Sequence, residues 1–177
     1  MNPPVHPHMA VPTTGREPDS MKGKRIGTGA ALAVGTLAAA GLAFAPAALA
    51  VTPDTATIDA DCGLYGSGQA TLTATQDGTA ATVTVTSAIN APLALSEDSI
   101  SSTLTFVNAN GGTTTFTGTE NPAIAAGDPV TVGPLSGTVN SGDSLESYGG
   151  SLQIVVFGIT VTCTATGPQA PGPFVFD

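Results

Sequence analysis

No lysine, arginine or histidine follows Arg25 in this chain of 177 residues. All four cationic residues and both histidines lie in the first 25 residues, whereas 11 of the 13 carboxylates lie from Asp54 onward. Serine nucleophiles therefore lose their usual histidine base, and phosphate-binding sites lose their cations. The anionic surface that remains repels nucleic-acid backbones and anionic lipid headgroups, so we predict no nucleic-acid partner.

Tryptophan is absent, and aromatic residues make up only 5% of the chain. The missing tryptophan argues against a true immunoglobulin domain and against a sugar cleft lined by aromatic rings. Paired carboxylates are the only general acid–base chemistry left. Three pairs are close in sequence: Asp59 with Asp61, Glu97 with Asp98, and Asp143 with Glu146. We interpret all three as solvated surface groups and predict that the protein is not an enzyme.

A secretory signal peptide is predicted over residues 21–50. Basic residues at positions 22, 24 and 25 precede an apolar stretch from Ile26 to Phe44, and the segment ends in Ala48-Leu49-Ala50. Small residues at these positions fit signal peptidase, so we predict cleavage after Ala50 and secretion of residues 51–177 as one domain.

Residues 1–20 precede a complete signal, which indicates either an unusually long n-region or an initiation site placed too early, with Met21 as the better initiator. A membrane anchor is the alternative to a signal peptide. Glycines at positions 29, 35 and 41, together with Pro46, interrupt the apolar segment, and no charged flank follows it. We therefore predict no membrane anchor after cleavage.

The only cysteines, Cys62 and Cys163, stand 101 positions apart, near the two ends of residues 51–177. A disulfide is the expected state of two cysteines in an exported protein. Zinc binding and thiol catalysis are poor alternatives, because no histidine is available as a ligand or a base. We predict one disulfide and no cofactor.

Apolar and polar residues alternate with a period of two through most of residues 51–177, with threonine often in the solvent phase. Asp77-Gly78 between two alternating segments predicts a hairpin. A second hairpin is predicted around residues 108–112, and one long last strand over residues 151–166, bent or bulged at Gly158.

Seven to nine short strands without a convincing helix predict an all-β, antiparallel sandwich of immunoglobulin-like type. A closed barrel is the structural alternative.

Several side chains are candidate ligand contacts. Tyr65 and Tyr148 are flanked by glycines, which would leave each ring open to stack on a glycan or a small molecule; a ring folded over a sheet end is the alternative. We predict no metal site. The weak calcium candidates are Asp59, Asp61, Asp143 and Glu146, whose spacing matches no EF-hand loop and which are typical of solvated turns.

The chain resembles small secreted β-rich proteins of actinobacteria for which no activity is assigned. The resemblance rests on the segments 62–68, 71–82, 132–138, 157–163 and 171–177. It implies export and a β-rich fold and transfers no catalytic residue. In composition the chain is also similar to neocarzinostatin-type apoproteins, which are acidic, exported carriers of chromophores with two disulfides, where this chain can form one.

We predict a secreted, non-enzymatic protein with a structural or interaction role at or outside the cell surface. A small-molecule or glycan-binding module, similar to a carrier, is the second hypothesis. A hydrolase that uses only carboxylates is the third. The partner is unknown, with a cell-wall component, a surface protein or a glycan as the expected classes.

Overall fold

The computed structural model describes residues 51–177. The predicted signal peptide, its cleavage site and residues 1–20 therefore lie outside the described residues. The strands are β1 (Thr55–Asp61), β2 (Ser67–Asp77), β3 (Ala80–Asn90), β4 (Ser101–Asn108), β5 (Thr113–Gly118), β6 (Pro129–Thr138), β7 (Ser144–Val156), β8 (Ile159–Ala165) and β9 (Phe174–Val175), with a 3-10 helix at Gly63–Tyr65. No helix among these residues is long and apolar enough to cross a membrane.

Threonine alternating with aliphatic residues forms the strands as the pattern predicts. In β2, Ala70, Leu72 and Ala74 are buried, while Thr73 and Thr75 face solvent. β-Branched residues suit this pleated, half-buried surface. The predicted hairpin is confirmed, because β2 pairs with β3 up to the end of both strands around Gly78, whose φ is 61°. The second predicted hairpin is also confirmed as the β4–β5 pair.

All strand pairings are antiparallel, and the sheet closes on itself. Its order is β4-β5-β6-β3-β2-β1-β8-β7, and β7 pairs again with β4. The predicted immunoglobulin-like sandwich is not confirmed; the closed barrel, the structural alternative, is what forms. Closure leaves no open edge among these eight strands.

The turn at Phe157-Gly158 accounts for the difference between the predicted sandwich and the observed barrel. Both residues have positive φ, at 51° and 76°, as a two-residue hairpin turn of type I′ requires. The single long strand predicted over residues 151–166 is therefore wrong: the chain reverses, and β7 pairs with β8 from Val156 and Ile159 onward. This reversal creates two strands from the predicted one. β8 pairs with β1 and β7 pairs with β4, so the hairpin closes the ring.

The strand registers place the connections at two ends of the barrel. The open end carries residues 62–66, 91–100, 119–128 and 157–158, which link consecutive strands. The closed end carries the turns at 78–79, 109–112 and 139–143. It also carries the C-terminal segment, whose β9 pairs with the start of β7.

The closed end holds the aromatic part of the core. Phe106, Phe116, Phe174 and Phe176 are all 0% exposed. The ring of Phe106 meets the rings of Phe116 and Phe174 edge to face, with centroids 5.7 and 6.0 Å apart. Such pairs add stabilisation beyond the buried area. The segment after β8 thus completes the core at this end.

Candidate functional site

The half of the barrel nearest the open end contains a cavity of about 450 Å³. Aliphatic side chains from seven strands form its wall, among them Leu72, Val85, Leu104, Val132 and Ile154. No aspartate or glutamate of residues 51–177 lines it. The interior is therefore an apolar space bounded by closed, hydrogen-bonded strands.

Residue size explains why this half is hollow. The interior of an eight-stranded barrel is just wide enough to be filled by side chains or to hold one small ligand. At the closed end phenylalanines fill it. Towards the open end, inward positions carry small residues, and Ala60, Ala70, Ala91 and Ser87 all line the cavity. The strands cannot approach one another to close the gap, because the hydrogen-bonded ring fixes the barrel's width.

Solvent reaches the cavity from the open end. Ile58, Leu152, Ile154 and Val156 pack against the core and line the cavity, yet remain only half-buried. Aliphatic side chains on the inner wall of a barrel are buried when the barrel is packed. The same cavity is lined by Phe157, which is 70% exposed at the outer surface, so it opens to water.

An apolar rim surrounds this opening. Leu64 is fully exposed, Leu93 is 63% exposed and Phe157 is 70% exposed, and all three line the cavity. They come from three separate connections, after β1, β3 and β7. Single exposed apolar residues are ordinary, but several around one apolar opening are typical of a binding site.

The disulfide between Cys62 and Cys163 is confirmed, and it lies in the cavity wall. It joins the residue that follows β1 to the middle of β8. Both cysteines are buried, and they pack with Val161. Because Cys62 begins the connection that carries Leu64 and Tyr65, the bond fixes this part of the rim to the barrel.

Hydrogen bonds fix two further connections of the open end to each other. Asn121, 3% exposed, accepts the backbone N–H groups of Ser99 and Ile100 at 2.9 Å and donates to the carbonyl of Ser96. The backbones of Leu95 and Ile124 exchange two hydrogen bonds at 2.8 and 2.9 Å. The connections between β3 and β4 and between β5 and β6 are thus held together.

The polar residues that line the cavity are all neutral. Besides Tyr65 they are Ser87, Asn90, Thr105, Ser147, Ser151 and Thr164. Ser147 is 5% exposed, and its hydroxyl donates to Oε1 of Glu146 at 3.3 Å. Such groups can orient a ligand by hydrogen bonds, but none can neutralise a charge.

The structure separates the two tyrosines proposed as ligand contacts. Tyr65 lies on the 3-10 helix at the rim and lines the cavity, 49% exposed. Tyr148 lies in β7, is 51% exposed and does not line it. Ligand contact stays a prediction for both, and only Tyr65 is placed at this cavity.

The carboxylates proposed as weak calcium ligands serve local structure. Asp61 accepts the N–H of Gly63 at 2.8 Å, and Asp143 accepts that of Asn140 at 2.8 Å. Glu146 accepts the N–H groups of Tyr148 and Gln169 at 3.1 and 2.9 Å. Asp59 is exposed on β1. Within residues 51–177 no three acidic, histidine or cysteine side chains gather as a metal site would require.

The rim residues Leu64, Leu93 and Phe157 were not among the predicted site residues. A signal for them does exist in the sequence. Each is a large apolar residue in a turn segment next to glycine or proline, as in Gly63-Leu64, Pro92-Leu93 and Phe157-Gly158. Turns usually carry small or polar residues, so an apolar residue there indicates a contact that the turn itself does not need.

No protein-family model, no curated protein and no solved structure matches this chain. Its candidate function therefore rests on the geometry of the barrel.

Proposed function

We propose that the protein is an exported binding protein that holds a small, mainly apolar molecule inside its barrel. The observation that carries this proposal is the apolar cavity of about 450 Å³, open at one end and surrounded by exposed apolar side chains. This is the second of the sequence-based hypotheses, and the cavity supports it over a purely structural role.

The size and the wall of the cavity both fit this function. Ligand pockets commonly measure about 300–1,000 Å³, with a mostly apolar lining and a few placed polar groups. The cavity lies within that range and adds only neutral polar side chains to an aliphatic wall. A barrel with a purely structural role would gain packing energy from larger side chains in this space.

Export is part of the proposal. Its support is the predicted signal peptide together with the disulfide, a bond that persists in oxidising compartments. An apolar molecule dissolves poorly in the surrounding water. A rigid, acidic and soluble barrel would keep such a molecule dispersed outside the cell.

Binding of N-phenyl-1-naphthylamine, an uncharged dye that fluoresces in apolar surroundings, tests the function. We expect saturable binding of one dye per protein. Ala70→Phe places a ring into the cavity and should weaken binding by about tenfold or more, since the space itself is filled. Thr73→Phe places the same ring on the outside of the same strand and should leave binding unchanged.

Circular dichroism and thermal unfolding confirm that both variants fold. Absence of saturable dye binding to the folded wild-type protein would contradict the proposal and return the structural or interaction role to first place. Equal binding by Ala70→Phe and the wild type would show that the dye occupies another site.

A further inference from the structure

We infer that the cavity selects uncharged apolar molecules and rejects anions of the same shape; the inference rests on the proposed function. A ligand of this class has a mostly hydrocarbon body and bears hydroxyl, carbonyl, ester or amide groups. Carboxylates, sulfonates and phosphates are excluded. The inference comes from the charges of the wall, the rim and the surface around the opening.

The wall offers no partner to a buried anion. Every polar side chain on it is a hydroxyl or an amide, and no lysine, arginine or histidine exists in residues 51–177. A charge removed from water without a partner is strongly disfavoured. Proteins that bind an apolar anion can offset this cost with an arginine or a lysine, and this barrel has neither.

The rim cannot supply the missing cation either. A ligand with its polar head at the opening would face the end of the barrel that carries the carboxylates of Asp61, Glu97, Asp98, Glu120 and Asp128. All five lie on or beside the connections of the open end and are exposed. Within about 8–10 Å, roughly the screening length of physiological salt, they repel a second negative charge.

Neutral polar groups, by contrast, have partners. Ser87 follows the buried Val83 and Val85 in the inward phase of β3, and Ser147 is 5% exposed; the hydroxyls of both can donate and accept. Only a few such groups stand on an otherwise aliphatic surface. The matching ligand therefore carries few hydrogen-bonding groups on a larger apolar body.

Two dyes with one skeleton test the inference. N-phenyl-1-naphthylamine is uncharged, and 8-anilino-1-naphthalenesulfonate carries the same rings with a sulfonate. At neutral pH we expect the sulfonate to bind at least about tenfold more weakly. Similar affinities would overturn the inference and leave the proposed function standing. If neither dye binds, both fail.

Decanol and decanoate provide a second matched pair, measured by displacement of the uncharged dye. At neutral pH decanol should displace it and decanoate should not. Below about pH 4 decanoate becomes the neutral acid and should approach decanol in potency, while decanol itself should change little. Equal displacement by the two compounds at neutral pH would overturn the inference.

A cation introduced at the rim should reduce the preference for uncharged ligands over anions. Leu93→Lys puts an ammonium group on the rim, and Leu93→Gln removes the same leucine without adding charge. We expect Leu93→Lys to bind decanoate several-fold more tightly than Leu93→Gln, with equal binding of decanol. If decanoate binding does not differ between the two variants, the missing cation is not what excludes anions.

Discussion

The two ends of this barrel have the same kind of strands but are held together differently. At the closed end four phenylalanines fill the interior, and the ring of Phe106 meets those of Phe116 and Phe174 edge to face. At the open end small residues leave a cavity, and a disulfide links the end of β1 to β8 where few side chains pack inside the barrel. The comparison teaches that one end of a barrel can be stabilised by packed side chains and the other by a covalent bond. Only the end held by the covalent bond keeps an empty interior.

Loss of the disulfide should have the largest effect. In the chain-entropy model, a crosslink that closes a loop of about 100 residues contributes roughly 4.7 kcal/mol. The double variant Cys62→Ser, Cys163→Ser should lose up to about that free energy of unfolding, measured by urea denaturation. Dye binding should weaken as well, because the connection that carries Leu64 loses its attachment to β8.

Hydrogen exchange locates this effect. Amides of β8 and residues 62–66 should lose more protection in the double variant than amides of β4 and β5, which carry Phe106 and Phe116 and lose only what the fall in global stability removes. Equal loss of protection at both ends would contradict the comparison.

Removal of an aromatic ring should have the next largest effect, and the loss of unfolding free energy should differ between the two ends. Phe106→Ala takes away the ring that meets both Phe116 and Phe174, and should cost about 4 kcal/mol of unfolding free energy. Phe157→Ala is the matched change at the open end. Its ring is 70% exposed, so we expect a change within about 0.5 kcal/mol. Comparable losses in the two variants would show that the rim is part of the core.

Adding carbon atoms should lower the unfolding free energy at the closed end and raise it at the open end. Both changes should be smaller than those above. A Cβ at Gly137 would lie 2.5 Å from the ring of Phe116, so Gly137→Ala should cost about 1–3 kcal/mol. Ala70 lines the cavity, and Ala70→Val should add up to about 1 kcal/mol by filling space. Thermal unfolding of both variants measures the difference. Destabilisation by Ala70→Val would mean that the open end is already packed.

Local patterns in the sequence predicted a large part of this fold. Alternation with threonine in the solvent phase located the strands, Asp77-Gly78 the first hairpin, and the two cysteines the disulfide. These features depend on neighbours along the chain or on a single pair of residues. Turn chemistry misled at Phe157-Gly158, because phenylalanine is not a residue that normally adopts positive φ.

The cavity could not be predicted in the same way. Alternation shows that Ala70 and Ile154 point inward, but whether they meet depends on the barrel's width and on residues far apart in sequence. Tyr65 and Tyr148 illustrate the same limit. Both have glycine neighbours, yet one lies at the opening and the other in β7 away from it, and only the closed topology separates them.

The pairing of β1 with β8 sets the order in which this chain can fold. Asp61 has Thr164 as its partner, so the ring of strands stays open until almost the entire domain has been synthesised. The chain loses the entropy of closing this long loop before the contacts between β1 and β8 can stabilise it. Topologies of this kind therefore fold slowly. The last residues, Phe174 and Phe176, then complete the closed end. Before these strands are available the barrel cannot close, and the cavity exists only once they have paired.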